Sequence, residues 1–97
     1  MKREVRASHI LVKTEAEARE LLQEIKDGKK SFADAAKEAS MCPSGSQGGD
    51  LGFFGHGVMV GEFDKAAFEL KEIGDISEPV QTQFGWHLIQ LTGMIDD

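Results

Sequence analysis

The segment of residues 41–63 constrains the fold most, because it combines closely spaced glycines with large apolar side chains. Glycine occurs at positions 48, 49, 52, 55, 57 and 61, a spacing that indicates tight turns or close backbone contacts. A flexible linker would not also carry Cys42, Leu51, Met59 and Phe63. These side chains need a core or a pocket to cover them, so we expect the functional site in this segment.

Two histidines lie in short segments that are typical of β-strands. His9 is within residues 5–12 and His87 is within residues 84–91, and both segments are rich in β-branched or aromatic residues. If the two strands pair in one sheet, imidazoles from opposite ends of the chain could meet. A histidine in a strand is more often structural than catalytic, and periodicity alone does not establish the pairing.

Length and composition restrict the class of protein. The 97 residues suit one domain with its own core. A net charge of −6 argues against general nucleic-acid binding, and no apolar run approaches the roughly 20 residues of a membrane span. The single cysteine excludes an internal disulfide. Residues 1–6 lead into a strand rather than a signal peptide, which favours the cytoplasm.

A small basic cluster is the one exception to the acidic composition. Lys26, Lys29 and Lys30 lie together near the predicted end of a helix. The simplest interpretation is a solvated face that complements the helix dipole, and a weak surface contact is the alternative. Nothing in the chain indicates an obligate oligomer, so we expect a monomer.

Capping patterns and breakers predict the first half of the secondary structure. A strand over residues 4–12 is followed by a helix that Thr14 opens, with Glu17 completing a capping box and Gly28 after its end. Ser31 opens a second helix, which Cys42-Pro43 is expected to end because proline disfavours helical geometry in the preceding residue.

The second half predicts one more helix and three strands. We expect a short strand at 51–54, a helix from residue 62 to Gly74, a strand at 76–80, a turn at 81–85 and a final strand at 86–92. The order β-α-α-β-α-β-β predicts an α+β fold with helices around a small, mainly antiparallel sheet.

Seven motifs in order resemble the parvulin family of peptidyl-prolyl cis/trans isomerases. They are His9-Ile-Leu-Val-Lys13, Cys42-Pro-Ser-Gly45, Gly48-Gly-Asp-Leu-Gly52, Met59, Phe63-Asp64, Ala67-Phe68 and Gln83-Phe-Gly-Trp-His-Leu-Ile89. Each is weak alone, but together they cover about residues 5–91 and resemble single-domain prokaryotic parvulins most. The resemblance implies a parvulin (FKBP-like) fold with a four-stranded sheet, residues 1–97 forming a single isomerase domain. It implies neither cofactor nor metal.

The resemblance assigns an apolar pocket and a polar network. Leu51, Met59 and Phe63 would grip the proline ring of a substrate, although from composition alone all three could be ordinary core. His9, Cys42, His87 and Thr82 would form a polar network beside the rotating bond, with the two imidazoles paired. Gln83 and Phe84 lie where parvulins contact the substrate, and Phe84 could instead be a turn hydrophobe. His56, between two glycines, is expected to be a solvated loop residue.

Three roles for Cys42 remain open from the residues. A non-covalent role needs only a polarisable sulfur near the imide, and we rank it above an inert, half-buried thiol. A nucleophile would need an activated thiolate. A metal site would need about four ligands, whereas Cys42, His9 and His87 supply three.

The predicted activity is isomerisation of X–Pro bonds in unfolded or flexible segments, without phosphorylation. Parvulins directed to phosphoserine carry several basic residues after the first strand, but here only Lys13 precedes the acidic sequence Thr14-Glu-Ala-Glu17. Proline-containing segments are therefore the expected partners, and assistance to protein folding is the expected role. A binding module or holdase without turnover is the alternative, and a thiol enzyme or metalloprotein ranks last.

Overall fold

The computed structural model of the chain describes residues 3–96, which form one four-stranded antiparallel sheet with three α-helices. The strands are β1 (Arg3–Val12), β2 (Asp50–Gly55), β3 (Val80–Thr82) and β4 (Gly85–Asp96). Their order across the sheet is β2-β1-β4-β3, so the longest pairing joins the first strand to the last. The predicted α+β class and element order are confirmed. Residues 1, 2 and 97 of the predicted domain lie outside the described residues.

The helices begin where their capping residues predict. α1 (Glu15–Lys26) follows Thr14, whose Oγ1 accepts the Glu17 N–H at 3.2 Å. α2 (Phe32–Ala39) follows Ser31, whose Oγ accepts the Asp34 N–H at 3.0 Å. Each hydroxyl satisfies an N–H that has no partner inside its helix. Local chemistry therefore defines both starts.

The predicted ends of two helices were wrong. α2 ends at Ala39 instead of continuing to Cys42-Pro43, because Ser40 is extended and its Oγ accepts the Leu11 N–H of β1 at 3.1 Å. A short 3₁₀ helix, Pro43–Gln47, then follows and had not been expected. α3 (Gly61–Glu69) also ends early rather than at Gly74, because Leu70 has an extended backbone conformation.

The third predicted strand was placed too early. Within residues 76–80, Ile76 forms only an isolated bridge to Gln90, and the strand itself is β3 at Val80–Thr82. Ser77 instead holds β4 by two bonds to Ile89, one through its backbone N–H at 2.8 Å and one through its Oγ at 3.1 Å. Pro79 has no backbone N–H to donate to a neighbouring strand. The Ser77 contact is therefore separate from the regular pairing of β3 with β4. The last strand is also longer than the predicted 86–92.

The helices pack on opposite faces of the sheet and create two cores. α1 and α2 cover Ile10, Val12 and Leu88, and Trp86 packs at the margin of this α1–α2 face. α3 covers the other side, the α3 face, together with the aromatic Phe54. The α3-face strand residues are Val5, Ala7, Ile89 and Leu91.

Candidate active site

The α3 face is incompletely filled and contains a cavity of about 450 Å³ at one end. This volume is within the roughly 300–1,000 Å³ of typical ligand sites. The lining residues are His9, Leu11, Met41, Cys42, Pro43, Leu51, Val58, Met59, Val60, Phe63, Phe84 and His87. Strands β1 and β4 supply the floor, and the two loops around β2 supply most of the walls.

The register of β1 against β4 brings the two histidines together. His9 lies opposite Ile89, and Leu11 lies opposite His87, so the imidazoles are diagonal neighbours on one face. Their Nδ1 atoms are 3.1 Å apart and the ring planes differ by 18°. The predicted pairing of the two imidazoles is confirmed by this geometry.

Thr82 extends the histidine pair into a chain of three side chains. Its Oγ1 is 2.8 Å from His87 Nε2 and accepts the Phe84 N–H at 3.1 Å. The Thr82 hydroxyl can donate to His87 Nε2 or accept from it, so the proton between the two Nδ1 atoms belongs to His87 in the first case and to His9 in the second. His9 Nε2 is a buried nitrogen without a hydrogen-bond partner among residues 3–96.

Burial keeps both imidazoles neutral at pH 7. His9 is 6% exposed, and its burial, followed by the nearby His87, lowers its pKa to about 4. Burial likewise lowers the pKa of His87. Removing a charged imidazole from water is costly, and no acidic side chain in the network offsets that cost. The pair therefore serves as a neutral hydrogen-bonded unit rather than as a source of charge.

Leu51, Met59 and Phe63 all line the cavity, as the predicted pocket requires. Phe63 is also part of the buried core of the α3 face, and Leu51 and Met59 pack against that core. The Phe63 ring stands nearly perpendicular to both imidazoles, at 79° and 86°, with centroids 5.5 and 5.3 Å away. The two interpretations offered for these residues therefore coincide, since one set of side chains is both core and pocket wall.

Cys42 lines the cavity but lies outside the hydrogen-bonded histidine chain. It is half-buried, and its backbone N–H donates to Ser40 Oγ at 3.3 Å. The Met41 N–H donates to the Leu11 carbonyl at 2.8 Å, which ties this segment to β1 and holds Cys42 at the cavity. In the described part of the chain, no three His, Cys, Asp or Glu side chains are grouped as metal ligands would be.

One glycine of the 41–63 segment is required by its contact with the site. Gly49 accepts the His9 N–H at 2.9 Å and has a left-handed φ of +85°. A β-carbon there would overlap the carbonyl oxygen of His9. Glycine thus lets the loop lie directly against the backbone of a site residue.

The β3–β4 hairpin places the two secondary residues differently. Gln83 and Phe84 form the two-residue turn between Thr82 and Gly85. Phe84 is 59% exposed and lines the cavity, whereas Gln83 is not among the lining residues. Only Phe84 is therefore positioned as a wall, and a substrate contact by Gln83 stays a prediction.

Sequence reasoning missed five of the lining residues. These residues are Leu11, Met41, Pro43, Val58 and Val60. Leu11 could have been found because it follows His9 by two positions and so shares its face of β1. The others flank Cys42 or Met59 in the chain, and adjacency to a predicted site residue was the available signal.

Comparisons with known proteins give a consistent result. A family model described as the PPIC-type PPIase domain, or rotamase, matches residues 7–93. Foldase protein PrsA of Geobacillus kaustophilus is 50% identical over 92 residues, which cover 94% of this chain and 32% of that protein. Foldase protein PrsA of Bacillus subtilis is 48% identical and is covered over 34% of its length. The chain thus spans about a third of the length of these relatives.

Solved structures agree with the sequence matches. The crystal structure of the peptidylprolyl isomerase PrsA from Bacillus anthracis has a TM-score of 0.93 and 49% identity, over 98% of this chain and 43% of that one. The solution structure of NmPin, the parvulin of Nitrosopumilus maritimus, has a TM-score of 0.84 and 39% identity, over 94% of this chain and 97% of that one.

Proposed function

This chain belongs to the PPIC-type family of peptidyl-prolyl cis/trans isomerases, the parvulins, and we propose that it isomerises X–Pro bonds in flexible segments without requiring phosphorylation. The family establishes the type of reaction and the proline-containing polypeptide as substrate. The observation that carries the finer proposal is an apolar cavity whose floor is a neutral pair of histidines. Roles of individual residues are part of the proposal.

The proposed mechanism is non-covalent. The X–Pro bond rotates over a barrier of roughly 18–20 kcal/mol because its C–N bond has partial double-bond character. The twisted imide has lost its conjugation and is less polar across the bond than the planar amide. An apolar cavity walled by Leu51, Met59 and Phe63 would hold the proline ring and favour that twisted state.

The histidine chain is proposed to keep the cavity floor in position. His9 contacts His87, and His87 also contacts Thr82. The cavity floor is therefore polar, and both ring nitrogens of His87 have a hydrogen-bond partner. Since burial lowers the pKa of both imidazoles, proton transfer to the substrate is not part of the proposed role. We place Cys42 beside the rotating bond as a polarisable wall, in agreement with its half-buried position.

Independence from phosphate is supported by the charges around the cavity. None of the lining residues in the described part of the chain is Lys or Arg. The exposed rim is formed by Met41, Val58 and Phe84, which offer apolar contacts to residues next to proline. A phosphate dianion would need charge-assisted donors that this rim lacks.

Assistance to folding by a protein that contains this domain is also a proposal. The support is that relatives named foldase match 91–100% of this chain, while the chain spans only about a third of their length. Proline isomerisation is slow enough to limit folding, so accelerating it would benefit proline-containing clients. The single-domain assignment, the monomer and the cytoplasmic location stay predictions.

Surface contacts to membranes or nucleic acid are not part of the proposal. No helix among residues 3–96 is long and apolar enough to cross a membrane. In the basic cluster, Lys30 is 2.8 Å from Glu38 and 3.7 Å from Glu24, and Lys26 is 3.9 Å from Glu78. Acidic neighbours therefore offset much of the charge that a weak contact would use.

Exchange spectroscopy by NMR on X–Pro peptides tests the function. Unphosphorylated Ala-Pro and Ser-Pro peptides and a phosphoserine-Pro peptide would be compared, each with the wild type and with Met59→Ala. We expect faster exchange for the unphosphorylated peptides, no advantage for the phosphopeptide, and a loss of about tenfold in Met59→Ala, because the variant removes part of the ring contact.

The other outcomes separate the alternatives. Shifted peptide signals without faster exchange would show binding without isomerisation, and the binding module would then replace the isomerase as the proposed function. A strong preference for the phosphopeptide would overturn the proposed phosphate independence. Glu20→Ala, in α1, is the control because Glu20 is exposed and is not among the residues that line the cavity.

A further inference from the structure

The loop between β2 and α3 carries much of the cavity wall but has little regular structure to hold it. Val58, Met59 and Val60 line the cavity, and Val58 is 66% exposed. Gly57 has a left-handed φ of +88°, and the turn before Val58 is closed only by a long 3.5 Å bond from its N–H to the Gly55 carbonyl. Another contact must therefore fix this wall.

One carboxylate attaches the loop to α3. Asp64 Oδ1 accepts the Gly57 N–H at 3.0 Å, and Asp64 Oδ2 faces His56 Nδ1 at 3.1 Å. The Asp64 side chain is 18% exposed, so these bonds are partly shielded from water. Its backbone N–H also donates to the Val60 carbonyl at 2.8 Å. Asp64 thus contacts the loop on both sides of Val58 and Met59.

An aromatic contact completes the attachment. The His56 ring stacks on Phe68 with centroids 3.6 Å apart and planes 25° apart. Phe68 is one helical turn beyond Asp64 and also contacts the core residue Phe54, at 6.0 Å and 81°. His56 is therefore not simply a solvated loop residue, although its side chain is 63% exposed. It is pressed against the same helix that carries Phe63.

We propose that Asp64 and His56 are positioning residues for substrate binding, which clamp the β2–α3 loop so that Met59 and Val58 face the proline ring. Neither residue lines the cavity, so their effect passes through the loop. The inference rests on the proposed function, because it concerns affinity for the proline segment. A loosened wall would first have to be ordered by the substrate, and that ordering weakens binding.

The matched control separates the clamp from helix electrostatics. Glu62 is also an acid in the first turn of α3, is exposed, and complements the helix dipole in the same way as Asp64. Its side chain makes none of the loop contacts described for Asp64. Glu62→Ala therefore removes the charge near the helix start and leaves the clamp in place.

The test compares Asp64→Ala with Glu62→Ala by NMR. It measures the Kd of an Ala-Pro peptide, its exchange rate at saturation, and the line width of the Met59 methyl group. We expect Asp64→Ala to raise Kd about threefold to tenfold and to broaden the Met59 signal, because two hydrogen bonds to the loop are lost. The rate at saturation should change less than about twofold, and Glu62→Ala should match the wild type.

Conservative variants add a readout that a general loss of stability would not move. Asp64→Asn should recover most of the affinity, since its amide oxygen still accepts the Gly57 N–H and its NH₂ can donate to His56. His56→Phe should lie between the wild type and His56→Ala, because it keeps the ring stack without the carboxylate contact. His56 is exposed, so we expect the two His56 variants to fold even if Asp64→Ala does not.

The possible failures are distinguishable. A wild type that neither binds nor isomerises the peptide would remove the proposed function itself. An active wild type with the same Kd and Met59 line width in folded Asp64→Ala and His56→Ala would overturn the clamp alone. An equal loss of affinity in Glu62→Ala would also overturn it, because the effect would then be the helix charge.

Discussion

The two faces of the sheet are built by the same two strands, yet they are packed to different degrees. On the α1–α2 face, Ile10, Val12 and Leu88 are each at most 1% exposed within an apolar cluster. On the α3 face, the neighbouring residues His9 and His87 are buried but polar, and a cavity lies above them. Alternate residues of one strand pair therefore serve stability on one side and ligand access on the other.

This difference explains how a small domain can retain a pocket. The closed α1–α2 face contributes apolar burial without depending on the residues around the cavity. The α3 face can then leave apolar walls partly uncovered, which would otherwise weaken the fold. Substitutions that act on only one face should separate stability from activity.

The largest effect is expected from Leu88→Ala on the closed face. The change would leave a void among fully buried side chains and should lower the free energy of unfolding by about 3 kcal/mol. Urea denaturation measures this loss, and exchange spectroscopy should show activity per folded molecule within about twofold of the wild type. Met59→Ala is the counterpart on the α3 face, with a smaller stability loss and a larger loss of activity. If Leu88→Ala and Met59→Ala reduced activity equally, the proposed division of roles between the two faces of the sheet would be wrong.

Acid should act on the α3 face through the histidines. His9 has a pKa of about 4 in the folded chain and 6.5 in the unfolded chain. Between these pH values the unfolded chain therefore binds a proton at His9 and the folded chain does not. Above pH 6.5, neutral His9 adds on the order of 3 kcal/mol to the free energy of unfolding relative to its value at pH 4. This stability is lost as the pH falls from 6.5 toward 4. Denaturation at several pH values measures the slope, and NMR titration of His9 near pKa 6.5 would contradict it.

Thr82→Val tests the anchor of the histidine chain. The substitution keeps the shape but removes the partner of His87 Nε2 and of the Phe84 N–H, and should cost about 1–2 kcal/mol. Thermal unfolding measures this cost, and the imidazole ¹⁵N shifts of His87 should report a changed proton distribution. Thr82→Ser retains the hydroxyl and serves as the control. Unchanged ¹⁵N shifts in the valine variant would show that the anchor has no influence on the pair.

The smallest effect is expected at Cys42. Because the sulfur lies outside the histidine hydrogen bonds, Cys42→Ala should lower kcat/KM by less than about tenfold, and Cys42→Ser by still less. Coupled peptide-isomerisation kinetics measure both values. A loss on the order of a thousandfold, together with a thiol adduct in mass spectrometry, would instead favour the nucleophile.

Local signals predicted much of the framework and most of the site. Thr14 and Ser31 begin their helices by hydrogen bonds to N–H groups only three residues along the chain, which need no contact with distant residues. The family motifs named three residues that line the cavity, Leu51, Met59 and Phe63, and the two histidines that meet in its floor. The limits of α3 and β3 were missed because they depend on Leu70 and Ser77 contacting other parts of the chain.

What the sequence determined by itself was therefore the element order, the helix starts and the residue types of the site. Only the tertiary structure decided that His9 meets His87 across 78 positions, and that Asp64 holds the loop at Gly57. Alternation along a strand specifies which face a residue takes, but the partner is set by register between distant strands. A carboxylate near the start of a helix can similarly face solvent or accept a hydrogen bond from a loop. The packing of β2 against α3 places the loop beside Asp64.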